Sequence, residues 1–413
     1  MSTAQLLAYI SAAVLAQIII AAGFAIWRRR WTARESALMS ARDNFSAVAG
    51  AWAGWRDFRV ARREFEDPSR TQCSFFLRPV DGVPLAPFHP GQYLTFSLKI
   101  RAGQVASERA ITRCYSLSDS PDTTCYRITI KRAASPAGQP EIPPGVASGH
   151  FLDRIREGDL VQVKAPAGRF FIDPDAGVPA VFLAGGIGIT PIMSMLRWSI
   201  AEQPGRLLYL YYGVRCSADH AFKRTLEDMA AAHPAFRLNI VYGSPGADDI
   251  LGRDYQHVGY VTLDLLRGAL PHGRHQFYLC GPPPMMQSLV PALRNWGVPS
   301  EEVHCEAFGP ASIQPTLPLS NEPIATGAVS FEVRFSRAGR TLIWDGRDAN
   351  LLDFAARHDL CVDSGCRTGS CGACETGLVS GTVEYADRPD HEIASGHCLL
   401  CVGKPRSALV LEA

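Results

Sequence analysis

Four short runs of this 413-residue chain bring together side chains that can do chemistry. The densest is Cys366-Arg-Thr-Gly-Ser-Cys371-Gly-Ala-Cys374. Thiolates are soft metal ligands, and the small residues Gly369, Ser370, Gly372 and Ala373 let the loop wrap closely, with backbone N–H groups facing whatever the sulfurs hold. Six of the twelve cysteines lie from Cys361 onward, and Cys398 and Cys401 both stand downstream as a fourth ligand. Zinc is disfavoured for the Cys366–Cys374 run, whose Cys-x4-Cys-x2-Cys spacing is not that of a zinc knuckle. A disulfide framework suits a short secreted chain better than this long one. The second run is Arg113-Cys114-Tyr115-Ser116. Its arginine offers a fork of donors to a phosphate, its tyrosine a flat face to a ring, its serine a hydroxyl. The third, Gly185-Gly186-Ile187-Gly188-Ile189-Thr190-Pro191, follows an apolar strand and precedes a helical stretch. Such glycines bring backbone N–H groups and a helix N-terminus up to a pyrophosphate. The fourth pairs two strand ends, Cys280-Gly281-Pro282 and Glu306-Ala307-Phe308.

These runs need elements to carry them. From Phe58 to about Ile172, short alternating segments such as Gln92–Leu98 and Tyr126–Lys131, broken by Pro and Gly, predict an antiparallel β-barrel. From Val178 to Phe308, apolar strand-like runs alternate with helical stretches, which predicts a parallel α/β sheet. Ile313–Pro323 is rich in proline and without periodicity, a semi-rigid linker. The expected division is a transmembrane anchor with basic flank at 1–31, a stalk at 32–56, a barrel at 57–172, a nucleotide domain at 173–312, a linker at 313–328 and a small metal domain at 329–413.

Length alone argues for several domains. A net charge of +1 gives no sign of a nucleic-acid partner. Ala4 to Ile26 is apolar over about the length that crosses a bilayer, and Arg28, Arg29, Arg30 and Arg34 follow it. That order predicts a single N-terminal transmembrane helix, uncleaved, with the catalytic domains on the cytoplasmic face of the cytoplasmic membrane.

Arg113, Tyr115 and Ser116 resemble the Arg-x-Tyr-Ser signature of the ferredoxin–NADP reductase superfamily. His89-Pro90-Gly91-Gln92-Tyr93 upstream and Gly145-Val146-Ala147-Ser148 downstream stand in the family's order. The resemblance implies that His89, Gln92, Tyr93, Arg113, Tyr115, Ser116, Gly145, Val146 and Ser148 hold a flavin. Ala165–Phe170 resembles the barrel end of the FAD-containing members, which favours FAD over FMN. It implies further that Gly185, Gly186, Gly188, Thr190, Pro191, Cys280 and Gly281 hold the nicotinamide nucleotide, with a lean to NADH over NADPH. Ser116, Cys280, Glu306 and Phe308 take the catalytic roles, Phe308 shielding the flavin. The Cys-x4-Cys-x2-Cys spacing is that of plant-type ferredoxins, and Cys401-Val-Gly-Lys-Pro405 before a strand resembles their distant ligand. Cys366, Cys371, Cys374 and Cys401 are therefore expected around a [2Fe-2S] cluster in a β-grasp ferredoxin domain, with Cys361 and Cys398 as packed thiols nearby.

The order of barrel, nucleotide domain and ferredoxin domain is similar to that of phthalate-dioxygenase-type reductases and of the hybrid-cluster-protein reductase. It implies an NAD(P)H:acceptor oxidoreductase passing electrons from nicotinamide through FAD and the cluster to an electron-acceptor protein. That acceptor is expected to be an oxygenase or desaturase. A soluble nitrogen-oxide-handling protein is the alternative acceptor, and a membrane redox sensor is an alternative of another class.

Overall fold

Alternation of apolar and polar residues builds the first sheet. The computed structural model describes residues 51–101, 108–121, 124–135, 144–308, 330–360, 362–369, 371–386, 389 and 391–413. Strands β1 (Arg56–Phe65), β2 (Gln72–Pro79), β3 (Tyr93–Arg101), β4 (Glu108–Ser116), β5 (Tyr126–Lys131) and β6 (Leu160–Ala167) pair antiparallel in the order β4-β3-β6-β1-β2-β5. The edges meet where Leu117 bridges Ile128 and the Ser118 N–H donates to the Arg127 carbonyl at 2.8 Å, which closes the barrel. Helix α1 (Val146–Asp153) plugs one end, its Phe151 edge-on to Phe75, Phe96 and Tyr115 with centroids 5.2–5.4 Å away.

The second sheet consists of β7 (Ala180–Gly185), β8 (Leu208–Val214), β9 (Phe236–Tyr242), β10 (His257–Val258), β11 (Gln276–Gly281) and β12 (Val303–Ala307), all parallel, in the order β10-β9-β8-β7-β11-β12. Helices α2 (Ile189–Glu202), α3 (Lys223–Ala232), α4 (Leu263–Ala269) and α5 (Pro283–Asn295) connect the strands. Both β7 and β11 are buried along their whole length, as strands covered on both faces must be. Strand order reverses between β7 and β11, which opens a crevice at their C-terminal ends. Buried Arg127 ties this sheet to the barrel, pairing with Glu66 at 2.6 Å while its guanidinium lies 4.8 Å from the Phe222 ring.

The third sheet runs β14-β13-β19-β15-β17, built from β13 (Phe331–Phe335), β14 (Arg340–Trp344), β15 (Glu375–Ser380), β17 (His397–Leu399) and β19 (Leu409–Leu411). A small ladder pairs β16 (Val383–Tyr385) with β18 (Gly403–Pro405). Helix α6 (Leu351–Arg357) packs Leu351 and Phe354 among Phe335, Trp344 and Leu409, giving a β-grasp arrangement. Asn350 caps it, accepting from the Asp353 N–H at 2.9 Å.

One expectation is corrected. The architecture is multidomain, with a barrel, a parallel sheet and a ferredoxin-type domain, but among the described residues no helix is long and apolar enough to cross a membrane. The longest, α2, has 14 residues and reaches about 21 Å, short of the ~30 Å hydrocarbon core. The single transmembrane helix and the single-pass cytoplasmic-membrane localisation therefore fall. Both rested on hydropathy and flanking charge in Ala4–Ile26, which lies outside the described residues, as do Cys361, Ser370 and the linker 313–328. Trp52, within the expected stalk, packs on the barrel and donates its Nε1–H to the Val163 carbonyl at 3.1 Å.

Candidate functional site

The glycine loop leaves β7 through Gly186, whose φ of +52° is left-handed, and a single 3₁₀ turn leads into α2. A side chain at Gly188 would put its Cβ 2.1 Å from the Cys280 carbonyl oxygen, so only glycine lets the turn sit on the end of β11. At Gly186 the corresponding direction is empty to 4 Å, a cradle over backbone N–H groups that suits a pyrophosphate. Thr190 is buried and donates to the Ile187 carbonyl at 3.1 Å, and buried Pro191 stands in the first turn of α2. Their part is to fix the turn.

Beside this cradle the strand ends meet. Cys280 is buried and stands in register with Glu306 on β12 and Ala184 on β7. Burial first, and then the Glu306 charge, push its thiol well above the usual range. Burial likewise raises the Glu306 carboxyl to about 8, and a hydrogen bond from Ser116 Oγ at 3.4 Å partly offsets this. Ser116 belongs to β4, so the nucleotide sheet and the flavin barrel touch through these two side chains. Phe308, just past β12, packs half-buried on the core that contains Tyr278 and Cys280.

On the barrel, Arg113 is exposed, with Nη1 bonded to the Thr112 carbonyl at 2.7 Å. Tyr115 faces Phe96 and Phe151, and burial holds its phenol protonated. Val146 is 58% exposed at the start of α1, beside Gly145. An exposed arginine and an open helix start together fit a flavin phosphate. Two residues expected at the cofactor are already engaged by protein. The Gln92 amide accepts from the His89 N–H at 2.9 Å and donates to the Gly168 carbonyl at 3.2 Å, while Ser148 Oγ bridges Gly145 and Ala133. His89 lies 5.1 Å from the Phe171 ring.

The sulfurs fall into two neighbouring pairs, Cys366 with Cys371 and Cys374 with Cys401. Backbone N–H groups of Cys366, Thr368, Cys371, Ala373 and Cys401 point at sulfurs at 3.2–3.4 Å. Hydrogen bonds from Cys401 lower the Cys374 thiol below its ordinary range. Gly372, at φ +74°, lies against the His391 ring, and a Cβ there would come within 2.4 Å of it. Arg367 pairs with Asp353 at 2.8 Å and pins the loop to α6. Cys398 is buried on β17 opposite Thr376, and burial raises it to about 12. Among the described residues no three His, Cys, Asp or Glu side chains converge as a site for one ion. Two thiol pairs ringed by N–H donors fit two irons instead.

Sequence reasoning missed where this loop sits. Lys164 on β6 donates to the Cys371 carbonyl at 3.1 Å, across 207 residues of sequence. Cys114 on β4 pairs with Thr95 Oγ1 at 3.5 Å, and its Sγ borders the same Gly365 as Cys371 Sγ does. Tyr93 is buried beside Cys366. The cysteine loop therefore rests on the barrel strands that carry the Arg-x-Tyr-Ser run. No local pattern signals this, because Cys114 fills the variable position of that run and Lys164 reads as an ordinary strand residue.

Residues 182–290 match the oxidoreductase NAD-binding domain family, and residues 337–406 match the 2Fe-2S iron-sulfur cluster binding domain family. The chain is thus an NAD(P)H oxidoreductase that joins a ferredoxin-reductase-like nucleotide domain to a ferredoxin domain, with FAD, a [2Fe-2S] cluster and NADH or NADPH as its cofactors. It is 38% identical over 262 residues to a flavohemoprotein of Rhizobium meliloti, a match covering 63% of this chain and 62% of the relative's length. The flavohem-like FAD/NAD binding domain of nitric oxide dioxygenase from Vibrio cholerae shares 30% identity, covering 62% of this chain and 99% of that one with a TM-score of 0.54. Phthalate dioxygenase reductase, described as a modular structure for electron transfer from pyridine nucleotides to [2Fe-2S], is 27% identical, covering 87% of this chain and 98% of that one with a TM-score of 0.52.

Proposed function

We propose that this chain oxidises NADH and delivers single electrons through four cysteines to an oxygenase or desaturase protein. The observation that carries the reading is the seating of the cysteine loop on the flavin barrel, through Lys164 and the Cys371 carbonyl. Bound FAD supplies a carrier that accepts a hydride and gives electrons up singly, and the cluster accepts one at a time. The protein's part is positional. Backbone N–H groups of Gly185–Gly188 hold the pyrophosphate, while Cys280, Gly281, Glu306 and Ser116 set the nicotinamide against the flavin. Arg113 and the start of α1 would take the flavin phosphate, Tyr115 would offer its ring to the flavin, and Phe308 would cover the site until nicotinamide arrives. Cys366, Cys371, Cys374 and Cys401 would hold the cluster, as the two neighbouring thiol pairs suggest. Cys398 stays a packed thiol. In this reading the working domains are 57–172, 173–312 and 329–413, joined by 313–328.

The test is Cys371→Ser. NADH-driven reduction of cytochrome c should be lost, while reduction of ferricyanide, which takes electrons from the flavin directly, is kept. Cys398→Ser should keep both. Undiminished cytochrome c reduction by Cys371→Ser would remove the cluster from the route.

A further inference from the structure

Between the barrel and helix α2 runs a chain of alternating charges. Arg127, a buried residue of β5, pairs with Glu66 at 2.6 Å on one side and lies 3.6 Å from the Asp119 carboxylate on the other. Asp119 in turn meets Arg197 of α2 at 3.2 Å. A second bond runs beside that one, because Ser194, fully buried in α2, donates its Oγ–H to the Asp119 carbonyl at 2.7 Å. The Ser120 N–H donates to the Asp119 carboxylate at 2.9 Å and fixes its direction. Asp119 stands between the two elements that carry the cofactor motifs. It follows Ser116, the β4 residue that reaches Glu306, by three positions, and α2 begins at Ile189, immediately after the glycine turn. A helix of 14 residues bends little, so holding α2 at Ser194 and Arg197 also holds the turn at its start.

We propose that Asp119 is a positioning residue for hydride transfer, a strut that ties the strand carrying Tyr115 and Ser116 to the helix behind the glycine cradle and so sets how the nicotinamide meets the flavin. The inference rests on the cofactor placement proposed above. In the step concerned, the C4–H bond of the dihydronicotinamide breaks and the hydrogen passes with its electron pair to flavin N5, leaving NAD+ and anionic reduced flavin. Transfer of this kind depends steeply on the separation and alignment of the two rings. Stability depends on the strut far less. Asp119 and Arg197 are 28% and 32% exposed, and ion pairs so open to water contribute little to folding. Asp119→Ala leaves Arg127 its partner Glu66, so no buried charge is stranded, and the Ser194 bond to the Asp119 carbonyl survives as well. What the substitution removes is the lateral tie between barrel and helix.

The test uses the full chain with its cofactors bound. Anaerobic stopped-flow reduction of the flavin over a range of NADH concentrations gives a limiting rate and an apparent Kd separately. Asp119→Ala should lower the limiting rate by about tenfold while the Kd stays within about twofold, since an ångström of misplacement can cost roughly a hundredfold. Arg197→Met should act in the same direction, and the double variant should be no slower than Asp119→Ala alone. Two readouts need no turnover. With the flavin reduced by dithionite and NAD+ at saturation, the long-wavelength charge-transfer absorbance that reports ring stacking should weaken in Asp119→Ala, and amide exchange across Ile189–Glu202 should quicken. A limiting rate equal to the parent's, a loss carried wholly by Kd, or a slower rate with both absorbance and exchange unaltered would each overturn the strut. If Asp119→Ala does not fold, the same readouts on Arg197→Met decide. A parent whose bound flavin is not reduced by NADH would overturn the cofactor placement, and the strut with it.

Discussion

Burial holds the Glu306 carboxyl at about 8, against an ordinary 4.5. Between those values the folded protein keeps a proton that the unfolded chain has lost, so raising the pH across that window costs stability. Glu306→Gln has no proton to lose. Its thermal midpoint should therefore stay flatter than the parent's from about pH 4.5 to about pH 8, read by calorimetry at a series of pH values. Parallel profiles for the two proteins would show that Glu306 does not titrate in the fold. Residue types are what point to this site in the sequence: thiolates at short spacing, an arginine fork and a glycine turn each have few uses. Lys164 escaped because its partner is 207 residues away and joined to it only by the tertiary fold, and Cys114 because it fills the variable position of the Arg-x-Tyr-Ser run. Gln92 and Ser148 carry the reverse lesson. A polar residue beside a cofactor motif can be occupied in shaping the loop that offers the motif.

At the scale of elements, the turn between β7 and α2 makes two neighbouring glycines do different work. Gly188→Ala drives a Cβ into the backbone of Cys280, which cannot swing aside. It should destabilise the nucleotide sheet by about 2–3 kcal/mol. Gly186→Ala meets open space and pays only for its left-handed φ, about 1–2 kcal/mol, but it fills the cradle. It should raise the KM for NADH more than it lowers the melting temperature. Denaturant midpoints and steady-state kinetics on both variants separate the two roles, and a Gly188→Ala protein as stable as the parent would contradict the packing described. Strands were legible because alternation in the barrel and continuous apolar runs in β7 and β11 follow directly from one-sided and two-sided burial. Strand order was not. The crevice between β7 and β11 arises from a crossover that no local pattern records.

Among the described residues the apolar core falls into four clusters, one in the barrel, two in the nucleotide sheet and one in the ferredoxin domain. Phe75, Phe96 and Phe151 belong to the barrel, Phe182 and Tyr278 to the nucleotide sheet, and Phe335 and Phe354 to the ferredoxin domain. Removing residues 309–413 should therefore leave a folded protein that binds FAD and reduces ferricyanide with NADH but no longer reduces cytochrome c. Aggregation or loss of flavin in that truncation would mean that the last domain is needed by the barrel core after all. Hydropathy served least well at this scale. An apolar run of bilayer length is a statement about composition, and it gave an architecture that the described helices do not include.

Where the chain enters the barrel has a practical bearing. Trp52 hangs on the Val163 carbonyl, and Trp55 lies 5.1 Å from the ammonium of Lys164, the next residue along β6. Anything spliced on just ahead of Trp52 thus pulls on the strand that seats the sulfur loop. A fluorophore or purification handle fused there is wired to the electron outlet, so catalytic rates should be compared with and without it before any slow turnover is blamed on the acceptor.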